Sequence, residues 1–406
     1  MLKGYVELTY DLNNNAALRF IEPLLYKSPF YDESSQSVTL SLVEKDDRPF
    51  VFSTPRLPDD KVLHVRRPFR DAAYDELFKM KVEPQPVAYI AELLGITGGE
   101  WELFSSFFTE EPPAPGARYA GDDVRIRYLG HACILVETKD VSVLIDPVVT
   151  YKDPADEARY TFIDLPEVID YVLITHNHAD HCMFETLLQL RHRIRNIIVP
   201  KNNGGLLQDP SLKLVLQNIG FRNVREIDEM EEVEIPGGAI TGLPFLGEHA
   251  DLNIRSKTAH LVSLLGKTIL CAADSNNIEP KLYKHIHDLV GDIDVLFLGM
   301  ECDGAPLTWL YGPLLTAPLA RKLDQSRRLD GSNCEKGLCI VELLSPKQVY
   351  VYAMGLEPWL TYLTSIHYTD ESRPIIESSR LVEECRGRGL TTERLFGQRD
   401  IVLEVA

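Results

Sequence analysis

Three histidines and one aspartate fall within six residues, His176-Asn177-His178-Ala179-Asp180-His181, directly after an apolar run that ends at Ile174-Thr175. Imidazole and carboxylate are the donors that divalent first-row metals take. The end of a strand fixes the backbone, and the loop that follows lets alternate side chains converge. His176 and His178 are therefore expected to hold one metal, and Asp180 and His181 a second. A polar surface loop has no reason to concentrate four ligand-capable side chains at such a place.

A site of this kind needs rigid elements to position it. Val124–Leu129, Ala132–Glu137, Val141–Ile145 and Tyr171–Ile174 are apolar, β-branched and bounded by turn residues, the pattern of buried strands. Phe184–Arg193, with Leu187, Leu188 and Leu190, reads as the helix after the histidine loop. A second series follows, with strands at Ala259–Leu265, Thr268–Ala272, Val295–Met300, Cys339–Leu344 and Val349–Ala353 and a helix at Glu279–Val290. Two βα-rich halves packed sheet to sheet, with helices outside, give an α+β sandwich over residues 117–406. Before it, the proline-rich Thr109–Gly116 reads as a linker. Residues 1–116 make a small N-terminal α+β domain with that linker, with strand-like runs at Ser37–Leu42 and Pro49–Phe52 and helical patterns at Asp71–Met80 and Pro86–Leu94. No catalytic motif lies there, and His64 is an isolated histidine.

Composition narrows the function. The 406 residues allow two or three domains with large cores, and the hydrophobic fraction of 45% and charged fraction of 25% are those of ordinary globular proteins. The formal net charge of -19 repels phosphate backbones and anionic lipid, so neither nucleic acid nor a membrane is expected as a partner. Apolar runs such as Asp292–Met300 fall far short of the roughly 20 residues a bilayer requires. The first residues, Met1-Leu2-Lys3-Gly4-Tyr5, show no secretory pattern, so cytoplasm is the expected location. Seven scattered cysteines without a CxxC pair read as reduced, mostly buried thiols. Two basic clusters, Arg191-His192-Arg193-Ile194-Arg195 and Arg321-Lys322 with Arg327-Arg328, read as solvated helix faces, with an acidic docking partner as the alternative.

The HxHxDH motif, preceded by Tyr128-Leu129-Gly130-His131-Ala132-Cys133 and Ile145-Asp146-Pro147, resembles the metallo-β-lactamase superfamily over about residues 120–360. That resemblance implies an αββα core and a two-metal site. It implies that Asp146 braces the metal loop, as ligating histidines need an outer hydrogen-bond partner. It also implies a third ligand to the first metal, a bridging carboxylate and a last histidine. Asp274, at the end of the strand Thr268–Ala272, is the bridge, since a carboxylate has two oxygens to share. For the third ligand, Glu248 and His249 stand side by side, and neighbouring side chains point apart, so one of them binds. The last histidine is missing: Val349–Ala353 runs into Met354-Gly355-Leu356-Glu357-Pro358-Trp359, and no histidine follows before His367. His285 and His287 lie in a helical stretch and read as surface residues.

With Glu248, three nitrogens face three carboxylates, a set that favours harder, redox-capable ions such as iron or manganese over zinc. This pattern is similar to that of the diiron β-hydroxylases of antibiotic biosynthesis, known from chloramphenicol formation, as are the stretches Gly299–Trp309 and Tyr352–Trp359. The resemblance implies a two-iron monooxygenase with dioxygen as co-substrate. Its substrate would be an amino acid held as a thioester on the carrier domain of a nonribosomal peptide synthetase. An external reductase would supply electrons, and a homodimer is left open. Glu301, just past the strand Val295–Met300, is the candidate catalytic acid or proton relay. The competing reading is a dinuclear zinc or manganese hydrolase, a lactonase or phosphodiesterase, in which a bridging hydroxide attacks an ester.

Overall fold

The computed structural model describes residues 22–43, 45–46, 59–111, 116–152, 158–202, 210–247, 256–300, 302, 331–364 and 367–405. The expected strand at Pro49–Phe52 and the basic residues 321–328 lie outside them. Near the N-terminus, β1 (Val38–Leu40) and β2 (Leu63–Val65) pair antiparallel. Helices α1 (Ala73–Lys79), α2 (Val87–Leu94) and α3 (Trp101–Ser106) share a core with them around the buried Tyr74, Ile90 and Phe104. Pro86 starts α2, and Gly95, at φ 73°, ends it in the left-handed conformation that glycine adopts without a Cβ penalty.

Two seven-stranded sheets follow. The first comprises β3 (Val124–Tyr128), β4 (Ile134–Glu137), β5 (Ser142–Ile145), β6 (Ile169–Leu173), β7 (Ile194–Pro200) and β8 (Val224–Ile227), closed at the β3 edge by the C-terminal strand. The second comprises β9 (Glu232–Ile235), β10 (Gly238–Leu243), β11 (Ala259–Leu264), β12 (Lys267–Cys271), β13 (Val295–Gly299), β14 (Gln348–Tyr352) and β15 (Thr391–Arg394). The closing strand of the first sheet is β16 (Arg399–Leu403), antiparallel to β3. In each sheet an antiparallel half gives way to a parallel half, beginning at the β5–β6 pair and the β12–β13 pair respectively.

Successive residues on a strand face opposite sides, and here both sides are buried. Val136 and Val143 meet Val262, Ile269 and Phe297 between the sheets. Their neighbours Leu135 and Leu144 pack outward with Leu187, Leu190 and Leu216 of α4 (Phe184–Leu190) and α5 (Leu212–Asn218). On the far side, Leu270, Leu296 and Val351 pack with α6 (Pro280–Val290), α7 (Cys334–Leu344) and α8 (Arg373–Gly387) through Ile286, Ile340, Val341 and Leu381. The order is helix, sheet, sheet, helix, as the sequence leads one to expect.

One expected strand is a helix. Cys339–Leu344 forms the second half of α7, which Asn333 caps by accepting from the Lys336 amide. Cys334, Gly337, Ile340, Val341 and Leu344 are buried at the three- and four-residue spacing of one helical face. A short run with five apolar residues in six does not by itself separate a buried helix from a strand, and the polar first turn of the helix lies outside it.

The cluster Arg191–Arg195 is not a solvated helix face. The Arg191 guanidinium is buried and donates to Asp75, to the carbonyls of Phe69 and Asp71, and to the carbonyl of Ile219, at 2.6–2.8 Å. It thus fastens the N-terminal helices to the end of α4. Arg193 donates to the Phe162 carbonyl, and Arg195 pairs with Asp170. Glu22 adds a further tie by accepting from the Ser211 amide. Among the described residues no helix is long and apolar enough to cross a membrane.

Arg191→Ala strips several carbonyls and Asp75 of their donor at once. It is expected to destabilise the protein by roughly 2–4 kcal/mol, the range for breaking a buried charged network. Arg195→Ala, whose side chain is 60% exposed, is expected to cost less than about 1 kcal/mol. Urea unfolding of the two variants checks the ranking.

Candidate metal centre

The centre is built at strand ends. Asp146 follows β5 with φ 42°, in the left-handed region, and is fully buried. Its carboxylate accepts from the Thr175 amide at 2.8 Å, from the Thr175 hydroxyl at 2.6 Å and from His181 Nδ1 at 2.8 Å. Thr175 has a single hydroxyl hydrogen, and Asp146 takes it. The 2.9 Å contact between Thr175 Oγ1 and His176 Nδ1 must then be donated by the ring. In their neutral forms both His176 and His181 therefore carry the hydrogen on Nδ1, the tautomer that leaves Nε2 free to bind a metal.

Those Nε2 atoms converge on Asp274. His181 Nε2 lies 3.1 Å and His176 Nε2 3.6 Å from Asp274 Oδ2. His178 brings its Nδ1 to 2.9 Å from His176 Nε2, and Asp180 Oδ2 lies 3.6 Å from His181 Nε2. Asp274 reaches this point because Ala273, at φ 48°, bends the chain after β12, with its amide donating to the buried Tyr352 hydroxyl at 2.9 Å. At Gly299, on the next strand, an added Cβ would come within 2.7 Å of Asp274 Oδ1, so only glycine admits the carboxylate there.

Charge decides what the pocket holds. Asp146, Asp180 and Asp274 are each at most 3% exposed, and among the described residues no lysine or arginine pairs with any of them. Burial disfavours a charged imidazole at His181, but Asp274, Asp180 and the hydrogen bond to Asp146 outweigh it and raise its pKa well above the ordinary value. Burial likewise opposes ionisation of Asp180, yet His181, His131 and His178 hold its carboxyl below the ordinary range. Asp180 Oδ1, Asp274 Oδ1 and His181 Nε2 have no hydrogen-bond partner. Buried donors left unpaired around excess negative charge fit divalent cations, with histidine nitrogens and carboxylate oxygens as ligands. Two overlapping groups of possible ligands share His181: His176 with Asp274, and His131 with Asp180.

His131 was not expected as a participant; it stood in the sequence only as part of the motif before β4. His285 is exposed and His287 pairs with Asp292, as the sequence suggested, and His367 is exposed, unlike the buried histidines of the cluster. Glu248, His249 and Glu301 lie outside the described residues. Their flanks do not. The Asn276 amide donates to the Leu246 carbonyl at 2.7 Å, and Lys257 bridges to His176. On the other side of Glu301, the Cys302 amide donates to Ser332, whose hydroxyl donates to the Ser275 carbonyl.

Beside the histidine loop, a small cleft of about 20 Å³ is lined by Val148, Met183, Trp359, Leu360 and Tyr362, with Asp46 from the N-terminal region. Trp359 closes over Gly130, where a Cβ would lie 2.7 Å from its ring. The Arg159 guanidinium sits 4.3 Å from the Trp359 ring and pairs with Asp46 at 2.7 Å.

Fold and cluster together define a metalloprotein of the metallo-β-lactamase fold, and residues 142–305 match the beta-lactamase superfamily domain. Residues 1–112 match the diiron non-heme beta-hydroxylase N-terminal domain. The chain is 42% identical over 412 residues, 99% of its own length and 77% of the relative's, to the 4-amino-L-phenylalanyl-[CmlP-peptidyl-carrier-protein] 3-hydroxylase of Streptomyces venezuelae. The crystal structure of CmlA, a diiron beta-hydroxylase from the same organism, superposes with a TM-score of 0.84 at 41% identity, covering 94% of this chain and 72% of that one. A UPF0173 protein of Pyrococcus abyssi is 34% identical over 126 residues, 31% of this chain and 50% of that protein. The chain belongs to the diiron β-hydroxylase family, and is an enzyme of the diiron hydroxylating class.

Removing the brace should loosen the metals without removing a ligand. Asp146→Ala is expected to lower affinity for the ion held by His181 by about 10- to 100-fold, the usual effect of losing an outer-shell partner. Titration of the metal-free protein, followed calorimetrically, reads it directly.

Proposed function

We propose that this chain hydroxylates the Cβ of an amino acid carried as a thioester on the carrier domain of a nonribosomal peptide synthetase, with dioxygen as co-substrate and an external reductase as electron donor. The observation that carries the reading is the 42% identity across 99% of the chain to an enzyme named for that reaction on a peptidyl carrier protein. The donor set supports it. His176 and His178 with Glu248 would hold one iron, Asp180 and His181 the other, and Asp274 would bridge them. The segment bearing Glu248 leaves at Leu246, tied to Asn276 two residues past Asp274, and returns at Lys257, bridged to His176. Both ends of that segment are thereby held at the cluster, which favours a ligand from it; a carboxylate there gives the harder, anionic set that iron takes.

Two bound ferrous ions would supply the reducing electrons and the place where dioxygen is activated. The chain's own residues do the rest. Apolar Val148, Met183, Leu360 and Trp359 line the small cleft beside the histidine loop and would keep water from the centre. Met183 and Val148 each stand two residues past a residue of the centre, His181 and Asp146, so the loops that build the centre also build this wall. Glu301 would be the proton relay; in sequence it stands two residues past Gly299, which lies against Asp274. Seven free cysteines suit a reducing cytoplasm.

The purified enzyme is expected to contain two irons per chain and to add one oxygen atom to an aminoacyl carrier domain, read by mass spectrometry. Stoichiometric zinc, with ester hydrolysis in place of oxygen addition, would instead establish the hydrolase. Glu248→His is expected to shift metal preference toward zinc and abolish hydroxylation, whereas His249→Ala keeps both irons; the opposite ranking makes His249 the ligand.

A further inference from the structure

His131 stands 45 residues before the histidine-rich motif, yet it is fully buried against Asp180. Its φ of 50° places it in the left-handed region. Two contacts on the other side of the ring fix its orientation. The His131 carbonyl accepts from the Ala353 amide at 3.0 Å, and its Nδ1 lies 3.1 Å from the Gly355 amide. A backbone amide only donates, so Nδ1 must carry a lone pair. In a neutral imidazole the hydrogen is then on Nε2, and Nε2 lies 2.9 Å from Asp180 Oδ2. The ring spends one face on the backbone and gives the other to the carboxylate.

The place matters as much as the bond. Ala353 and Gly355 lie immediately past β14, where the superfamily resemblance leads one to expect the last histidine ligand and where this chain has none. His131 occupies that neighbourhood, but in the tautomer its contacts impose, Nε2 offers a hydrogen and no lone pair to a metal. Asp180 is held through Oδ2, and its Oδ1, buried and without a hydrogen-bond partner, is the oxygen left over.

We propose that His131 is a positioning residue of the second metal site. As an Nε2–H donor it locks Asp180 so that Oδ1 serves the ion, and it fills the place of the absent last histidine without ligating. One coordination position of the second ion is thereby left for a co-substrate. The inference rests on the reading of Asp180 as a ligand, given above.

The test is anaerobic titration of the metal-free, full-length chain with ferrous ion, for the wild type and for His131→Gln, His131→Ala and Asp180→Ala. Glutamine can present an N–H near the position of Nε2; alanine cannot. His131→Gln is expected to bind two ions as the wild type does, with an unchanged number of histidine nitrogens per iron by X-ray absorption. His131→Ala is expected to keep the first ion, which shows that it folds, and to bind the second about 10- to 100-fold more weakly. Equal loss of the second ion in both variants, with one histidine nitrogen fewer per pair of irons in His131→Gln, would make His131 a ligand and overturn the proposal. Unchanged second-site affinity in His131→Ala would overturn it as well. If Asp180→Ala keeps the second ion, the ligand reading beneath the proposal fails, and that result is visible whatever His131 does.

Discussion

Asp146, Asp180 and Asp274 all stand within hydrogen-bond or ion-pair reach of one imidazole, that of His181, with almost no exposure to solvent. Ionised carboxylates taken out of water each cost several kcal/mol, and like charges packed this closely add repulsion. The net charge of the chain does not offset that, at a formal -19. Such an arrangement persists in a folded chain only when the scaffold forces it together and cations compensate it. The two sheets provide the force. β5 delivers Asp146, β6 delivers Thr175 and the histidines, and β12 delivers Asp274, all from a core in which Val143, Leu173, Ile269 and Cys271 are fully buried.

The backbone shows where that force is applied. Of the eight non-glycine residues with left-handed φ among the described residues, five are His131, Asp146, Ala273, Cys302 and Ala353. All five lie just beyond strands that end at the centre or in the turns beside it. Each such residue costs on the order of 1 kcal/mol or more, and a set gathered in one place must be over-determined by its surroundings. The hydrogen bonds do this: Ala353 to the His131 carbonyl, Ala273 to the Tyr352 hydroxyl, Asp146 to the Leu173 carbonyl. The strain is the means by which strands about to diverge turn their next side chains toward one point.

The parts of this arrangement that follow from ligand chemistry were legible in the sequence. Four donors after a strand announce themselves, and Asp146 and Asp274 follow once the superfamily pattern is seen. Strands β3–β6 and β11–β14 were readable within about two residues from their apolar runs, whereas β7–β10, β15 and β16, more broken by polar residues or glycine, were not. What escaped were features whose meaning depends on a distant partner. Cys339–Leu344 is as apolar as a strand, and only its cap at Asn333 and its packing against Leu381 make it a helix. Arg191 looked like surface charge because its acceptors, at Phe69, Asp71 and Asp75, are over a hundred positions away. His131 carried a weaker signal: a histidine between glycine and alanine, just before a buried strand, is poorly explained by either solvent or core.

The N-terminal domain has a physical claim on the chemistry beyond its own fold. Arg191 clamps it to the helix that follows the histidine loop, so α1 and the loop cannot shift independently without breaking the hydrogen bonds of that guanidinium. Asp46, from the same domain, holds the guanidinium of Arg159 over Trp359, which in turn fills the space left by Gly130 next to His131. A cation on an indole face stabilises by about 0.5–2 kcal/mol, enough to favour one ring position but little enough to be displaced. The width of the cleft is therefore set jointly by both domains. The joint between them also lies beside the turn that carries His131, so the two domains and the cluster share one packed contact through Gly130 and Trp359.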